Sequence, residues 1–227
     1  MEKDIKWGKY WGEKKIFERQ VKTNNAYKDV VDILLELTTP ESNCIEIGCG
    51  GGIYTIELII KGRKCLATDV TDEALELTKA KGRYLYNIDV PIMRADLFNM
   101  PFKDNTFDLI FSDGVIEHIN IQGALNAMYQ KLKPGGWLVT KVPSGNFLYK
   151  LAYHSLSYLE NRNMFESWHS PKEWVIFTEK AGLKNVCIKK CGGFMIGMFR
   201  RVFVNMRLLK CVPNIGRIHY IFYGQKV

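Results

Sequence analysis

Short apolar runs alternate with longer amphipathic stretches along the middle of this 227-residue chain. The short runs predict strands, and the stretches between them carry the spacing of helices. The predicted strands are residues 44–48, 64–69, 91–95, 107–112 and 137–142, and the predicted helices between them are 54–61, 71–86 and 121–132. Such alternation is typical of βαβ units, which build a mostly parallel sheet with helices on both faces.

The two ends of the chain depart from this regular pattern. Residues 1–40 predict a helical cap that closes at Pro40. After residue 143 come an aromatic-rich insertion at 144–170, a helix that opens at Ser170-Pro171, and strands at 184–190 and 218–223. Because the late strands lack an ordinary crossover helix between them, they predict an antiparallel edge on the sheet.

These elements together predict one α/β domain over residues 1–227 with a seven-stranded sheet. Its expected parts are the cap at 1–40, a ligand-binding core at 44–143, and a segment at 144–227 with inserted lids and the last strands. The composition agrees, since 47% hydrophobic and 25% charged residues are typical of globular proteins.

Targeting and redox signals predict a cytoplasmic protein. The first residues are charged and lack the apolar core of a secretion signal, and no apolar run reaches the roughly 20 residues of a membrane span. The six cysteines are scattered without a C-x-x-C pair. We therefore expect neither disulfides nor a metal site.

Basic charge is concentrated at the end of the chain. Residues 184–227 hold nine of the 32 Lys and Arg residues and none of the 24 Asp and Glu residues, within a net charge of +8. A one-sided field favours phospholipid headgroups, RNA or an anionic substrate, and a solvated basic surface explains it equally well. Apolar residues at helical spacing in 192–216 would form either a basic amphipathic helix on a membrane or a lid on the protein's own core.

The strongest local signal is EIGCGGG at residues 46–52, where the first strand turns into a helix. Glycines there allow positive φ and let a ligand lie against the backbone. The dinucleotide fingerprint requires glycine or alanine at position 53, where this chain has Ile53, and this argues against NAD. Glu46, two residues before the first glycine, fits a ligand with a positive amino group.

Acidic residues end the next two strands. Asp69 lies about 20 residues beyond the glycine turn, where a carboxylate can accept both ribose hydroxyls. The alternative role of Asp69 is to cap the helix that begins after Thr71. Asp96 ends the third strand and could accept a hydrogen bond from an adenine amino group, with Leu97 packed on the ring. Neighbouring strand ends would then form one ligand crevice.

In these segments the sequence resembles the class I S-adenosylmethionine-dependent methyltransferases, in particular the small-molecule group that includes the ubiquinone and menaquinone biosynthesis enzymes. The matching pieces are EIGCGGG, ATDV, MRADLFNMPFKDNTFDLIFSDGVIEHI and LKPGGWLV. The resemblance implies a Rossmann-like fold, S-adenosyl-L-methionine as cofactor and S-adenosyl-L-homocysteine as product. Some relatives bind a metal through Glu-x-x-Glu-His, but the first of these positions is Gly114 here, so no metal is expected.

The resemblance also implies a role for each cofactor-binding residue. The methionine part should be surrounded by Glu46, Gly48, Cys49 and Gly50, the ribose by Asp69 and Val70, the adenine by Asp96 and Leu97, and the sulfonium end should lie near Ser112.

Methyl transfer from a sulfonium is an in-line displacement, so the protein mainly holds donor and nucleophile close together and excludes water. A general base is needed only when the acceptor must lose a proton. We predict His118 for this role, with bracing of the following helix as its alternative and Asp113 as the second candidate. Acceptor binding is expected from residues 192–216 and from Tyr10, Trp11, Phe147, Tyr149, Tyr153, Tyr158, Phe165 and Trp168.

The leading hypothesis is an enzyme that methylates an O, N or C atom of a small, lipophilic metabolite. The basic C-terminal segment keeps open an RNA methyltransferase. Two other classes also stay open: a non-catalytic S-adenosylmethionine-binding accessory protein and a nicotinamide oxidoreductase.

Overall fold

The fold is given by a computed structural model that describes residues 8, 10–12, 25–145, 150, 166–191 and 219–227. The strands are β1 (Asn43–Ile47), β2 (Lys64–Asp69), β3 (Ile92–Arg94), β4 (Phe107–Asp113), β5 (Leu132–Pro143), β6 (Lys184–Cys191) and β7 (His219–Gln225). The helices are α1 (Asn25–Glu36), α2 (Ile53–Ile60), α3 (Asp72–Tyr86), α4 (Ile121–Lys131) and α5 (Pro171–Lys180). Short 3₁₀ turns occupy Leu97–Asn99 and Ile116–His118.

The seven strands form one sheet in the order β3-β2-β1-β4-β5-β7-β6. The first five strands in this order pair in parallel, whereas β7 is antiparallel to both β5 and β6. The predicted mostly parallel seven-stranded sheet with antiparallel pairing at one edge is therefore confirmed. The strand that runs against the others is β7, one position inside the edge strand β6.

Alternation along β4 divides the core into two layers. Leu109 and Phe111 point to the face covered by α1 and α2, where they pack with Leu34 and Leu58. Ile110 points to the opposite face, where it packs with Leu125 of α4 and other core residues. Both faces of this central strand are buried, which explains the apolar run Leu109-Ile110-Phe111 at its centre.

The strand β5 begins earlier than the sequence predicted. Leu132 already pairs with Phe107, and the register then shifts so that Leu109 pairs with Trp137. The predicted turn Pro134-Gly135-Gly136 lies inside this irregularity, and Gly135 has a φ of 81°. The glycine-rich turn thus forms a bulge within the strand and does not precede it.

The helix α5 begins as the sequence predicted. Ser170 accepts a hydrogen bond from the Glu173 backbone N–H, and the Glu173 side chain accepts one from the Ser170 N–H, which completes a capping box. Pro171 occupies the first turn, where a missing N–H leaves no bond unmade.

Within the described ranges, no helix has the length and apolar content that a bilayer crossing requires. The cysteines in these ranges are free thiols, namely Cys44, Cys49, Cys65, Cys187 and Cys191. The predicted amphipathic helix at 192–216 and Cys211 lie outside the described residues, as does most of the predicted helical cap before residue 25.

Candidate functional site

The glycine turn after β1 is closely packed on two sides. Gly48 and Gly50 have φ values of 65° and 51°, which residues other than glycine rarely adopt. A Cβ on Gly48 would lie 2.5 Å from Val115 Cγ2, and a Cβ on Gly50 would lie 2.2 Å from Trp11 Cζ2. The turn is therefore walled by the segment that follows β4 and by the N-terminal residues.

Asp69, at the end of β2, binds the glycine turn directly. Its Oδ2 accepts a hydrogen bond of 3.0 Å from the Gly50 N–H. Its Oδ1 accepts bonds from the Thr71 N–H and hydroxyl, at 3.0 and 2.9 Å. A carboxylate has about four acceptor sites, and three are used here, so Oδ2 can still accept one bond from a ribose hydroxyl.

Thr71 occupies the N-cap position of α3. Its side chain makes no capping bond to the helix. The hydroxyl donates to Asp69 Oδ1 because that carboxylate lies beside it, two residues earlier in the chain. This contact ties the start of α3 to the strand end.

Glu46 lies beneath the glycine turn and points toward α2. It is buried with 3% exposure, and its Oε2 accepts bonds from the Thr55 N–H at 3.0 Å and the Thr55 hydroxyl at 2.5 Å. Burial raises the pKa of this carboxyl to about 8, and the two Thr55 bonds oppose the rise. The predicted contact of Glu46 with an amino group stays a prediction.

Cys49 contributes its backbone to the turn more than its thiol. Its N–H donates to the Thr68 carbonyl at 2.9 Å, and its Sγ lies 3.6 Å from Thr78 Oγ1. Burial raises the pKa of the thiol well above its usual range, so the thiol is protonated at neutral pH. Val70, at the ribose position, is half-buried.

The tip of β3 brings Asp96 to the same side of the sheet. Its Oδ1 accepts a bond of 3.0 Å from the Phe98 N–H and thereby caps the turn Leu97–Asn99. Leu97 is buried in the core beside α4, whereas Phe98 is 51% exposed. The sequence analysis missed Phe98, although an exposed ring beside the predicted adenine position is a feature of interest for binding.

The tips of β4 and β5 are joined by two polar contacts. Ser112 is fully buried and donates to Thr140 Oγ1 at 2.9 Å. Lys141 donates to both carboxylate oxygens of Asp113, at 2.7 and 2.6 Å. Ser112 would therefore face the sulfonium end while its hydroxyl donates to Thr140. Asp113 could act as a base only by giving up a bond from Lys141.

The turn Ile116–His118 carries the predicted base and a carboxyl group beside it. His118 is half-buried, and its N–H donates to the Val115 carbonyl. Glu117 is buried with 3% exposure, and its Oε2 accepts no hydrogen bond from any residue that the structure describes. Burial raises the pKa of Glu117 to about 8. A hydrogen bond from its own backbone N–H and the charge of Lys141 oppose the rise, and Glu166 and Asp113 add to it.

Sequence reasoning singled out His118 in this turn and did not assign a role to Glu117. The only sequence signal was adjacency, because burial and the absence of a donor depend on segments far away in the chain.

Three of the predicted acceptor-binding aromatics, Tyr10, Trp11 and Trp168, lie within the described residues. The Trp11 ring lies on the backbone of Gly50, so a ligand at the glycine turn would meet this ring. The Trp168 Nε1 donates to Glu166 at 2.9 Å, and Lys150 Nζ lies 5.1 Å from the Trp168 ring centre. Tyr10 packs edge-on against Trp11. The remaining aromatics of this prediction, Phe147, Tyr149, Tyr153, Tyr158 and Phe165, lie outside the described residues.

Comparison with known proteins places these strand ends in a recognised domain. Residues 45–140 match the family model described as a methyltransferase domain. A demethylmenaquinone methyltransferase from Corynebacterium urealyticum is 34% identical over 100 residues, which are 44% of this chain and 40% of that protein. The arginine hydroxylase NDUFAF5 of Danio rerio is 30% identical over 146 residues, which are 63% of this chain and 44% of that protein.

Among solved structures, the geranyl diphosphate C-methyltransferase of Streptomyces coelicolor A3(2), in complex with Mg²⁺, geranyl diphosphate and S-adenosyl-L-homocysteine, has the same fold. The TM-score is 0.73 at 13% identity, and the match covers 99% of this chain and 98% of that one. The predicted Rossmann-like fold is thereby confirmed.

The family model confirms a methyltransferase domain in residues 45–140, and the similar proteins support S-adenosylmethionine as its cofactor. The chain spans about half the length of the curated relatives that it matches.

Proposed function

We propose, from the methyltransferase domain in residues 45–140, that this chain transfers the methyl group of S-adenosylmethionine to a small acceptor molecule. The observation that carries the proposal is the bond between Asp69 Oδ2 and the Gly50 N–H. It joins the tips of β1 and β2 into one surface that offers backbone at one end and a carboxylate at the other. Such a surface suits a ligand that contains both an amino acid and a ribose.

The cofactor would extend along neighbouring strand ends. We assign the methionine part to Glu46, Gly48, Cys49 and Gly50, the ribose to Asp69 and Val70, the adenine to Asp96 and Leu97, and the sulfonium end to the neighbourhood of Ser112. The donor set fits this ligand, because carboxylates suit its amino and hydroxyl groups and no phosphate has to be held.

The bound cofactor supplies an electrophilic methyl group on a sulfonium. The work of the chain is then to hold the acceptor atom in line with that methyl group and to keep water away. His118 is the base that we propose from the sequence for acceptors that must lose a proton. Its turn packs on the glycine turn through Val115 and Gly48, which places it beside the proposed methionine end.

For the acceptor, we propose a small lipophilic metabolite. Support comes from two proteins similar to this chain whose names include lipophilic substrates, demethylmenaquinone and geranyl diphosphate. Residues 192–216, with their apolar and basic sequence, would bring the site to a membrane surface where such acceptors dissolve. RNA is the second candidate, favoured only by the basic charge of residues 184–227.

The cofactor assignment is tested by calorimetry with S-adenosylmethionine and S-adenosylhomocysteine. Asp69→Ala should weaken the affinity about 100-fold, because the hydrogen bond between the carboxylate and a ribose hydroxyl is lost and the Gly50 N–H loses its acceptor. The matched control is Asp72→Ala, since Asp72 is an exposed carboxylate paired with Arg94 on the outside of the sheet. Unchanged affinity in Asp69→Ala, or no association with the wild type, would overturn the assignment.

The acceptor is tested with tritiated methyl donor and three candidates: a reduced naphthoquinone, geranyl diphosphate and total RNA. Label in either lipophilic molecule supports the proposed class. Label in RNA that falls steeply with added salt would replace it with the second candidate.

A further inference from the structure

Glu117 is a buried carboxyl group on the turn that follows β4. Its Oε1 lies 3.9 Å from the position of a Cβ on Gly114, and its Oε2 has no hydrogen-bond partner among the described residues. Two residues earlier, Val115 packs on Gly48 of the glycine turn. The carboxyl group thus belongs to the segment in direct contact with the proposed methionine site.

The charged groups near Glu117 are already paired with other partners. Lys141 Nζ donates to both carboxylate oxygens of Asp113, at 2.7 and 2.6 Å. The positive charge of Lys141 is therefore neutralised by Asp113 and not by Glu117. Glu166 accepts the Trp168 Nε1–H at 2.9 Å. These three groups face Glu117 from β4, β5 and the segment before α5, and the two carboxylates among them favour its protonated form.

The backbone carbonyl of Glu117 has hydrogen-bond partners, unlike Oε2 of its side chain, which has none within the described part of the chain. The Glu117 carbonyl accepts bonds from the Ser167 N–H at 2.8 Å and the Ser167 hydroxyl at 2.9 Å. The segment that begins at Glu166 therefore fixes this turn from above. These bonds fix the position of the Glu117 carboxyl group, and its Oε2 can accept a hydrogen bond from a ligand donor.

Buried carboxyl oxygens normally have a donor, because leaving one unpaired is costly. Packing does not require a carboxyl group here, since an apolar residue of the same size would avoid the cost. A ligand that brings its own N–H or O–H group to this oxygen supplies the missing bond. Perturbed buried carboxyl groups in a crevice are typical of catalytic positions.

We propose that Glu117 Oε2 binds the hydrogen on the reacting atom of the acceptor and takes it as a proton during methyl transfer. This inference rests on the proposed function. The new bond joins the acceptor atom to the methyl carbon, while the bond from that carbon to sulfur breaks and leaves its electron pair on sulfur. The acceptor proton moves to the Glu117 carboxylate and is later released to water.

The proposal narrows the acceptor to molecules that carry a removable proton on the reacting atom, such as a phenol, an amine or an acidic carbon. It also makes Glu117 the base in place of His118, whose role would then be to position the acceptor. A pKa of about 8 suits a base that must accept a proton and return it near neutral pH.

The experiment compares the wild type with Glu117→Gln, His118→Asn and Glu179→Gln, the last being an exposed control on α5. Each protein is incubated with tritiated S-adenosylmethionine and a small-molecule cell extract between about pH 6 and pH 9, and labelled product is measured. Calorimetry with S-adenosylhomocysteine measures cofactor binding separately. Glu117→Gln should form product at least about 100-fold more slowly with cofactor affinity changed less than about twofold. The wild-type rate should rise with pH, reach half of its maximum near pH 8 and level off above that pH.

Retention of more than about a third of the wild-type rate in Glu117→Gln would overturn the base assignment, as would a comparable rate loss confined to His118→Asn. If the wild type binds the cofactor and forms no labelled product, methyl transfer itself is overturned, and the assignment of Glu117 falls with it. If the wild type does not bind S-adenosylhomocysteine at all, the proposed cofactor site itself is overturned.

Discussion

Glu46 and Glu117 are both buried carboxyl groups, one beneath the glycine turn and one on the turn after β4, and they differ in their hydrogen bonds. Both are 3% exposed, and burial raises the pKa of both to about 8. Glu46 receives two hydrogen bonds from Thr55 inside the protein, whereas Oε2 of Glu117 receives none from the described residues. Glu46, in the proposed cofactor half of the site, thus has hydrogen bonds within the protein, whereas Glu117, in the proposed acceptor half, leaves Oε2 for a ligand.

The largest expected effect concerns the stability cost of these buried carboxyl groups. The pKa of Glu117 is about 8 in the folded protein and about 4.5 in the unfolded chain. The stability that comes from burying Glu117 in its protonated form is therefore present in full below about pH 4.5. It is lost as the pH rises to about 8, because the unfolded chain ionises more easily than the folded protein. The difference in free energy of unfolding between Glu117→Gln and the wild type should therefore change by about 4 kcal/mol in favour of the variant from about pH 5 to about pH 9.

Urea denaturation at a series of pH values measures this gain, with the exposed Glu179→Gln as control. Parallel curves for Glu117→Gln and the wild type would show that Glu117 ionises as a solvated carboxyl does. Glu46→Gln should show the same trend, reduced by the loss of the charged bonds from Thr55.

An intermediate effect is expected when Glu46 loses one of its two hydrogen-bond donors. Thr55→Val removes the hydroxyl donor and keeps the shape of a fully buried side chain. Unfolding at about pH 9, where Glu46 is ionised, should become easier by about 2 kcal/mol, because hydrogen bonds to charged groups are strong. Thr55→Ser keeps the hydroxyl, so the cost of that change should be independent of pH. An equal pH dependence in both variants would contradict the importance of the hydroxyl bond.

The smallest effect is expected where the acceptor half is held by its backbone. Ser167→Ala removes the hydroxyl bond to the Glu117 carbonyl and leaves the backbone bond in place. We expect a loss of about 1 kcal/mol in the free energy of unfolding, measured by urea denaturation. Affinity for S-adenosylhomocysteine should change less than about twofold, because the cofactor half does not contact Ser167. A larger loss of cofactor affinity would mean that the two halves are coupled.

Much of the fold followed from the hydrophobic pattern, because local rules set it. The bounds of β2 were predicted without error, and α5 begins at the predicted capping residue. The start of β5 was predicted five residues late, since the pairing of Leu132 with Phe107 across a bulge depends on a neighbouring strand.

The sequence by itself determined the parallel core, the glycine turn and the acidic ends of successive strands, because strand period, glycine content and the order of βα units are local or topological properties. Only the tertiary structure decided which carboxyl groups are satisfied. Whether Glu46 meets Thr55, or Glu117 meets no donor, depends on how helix, turn and strand pack together. Hydrogen bonding in a buried site is set by angstrom distances between residues remote in the chain, and a pattern of residue types does not contain those distances.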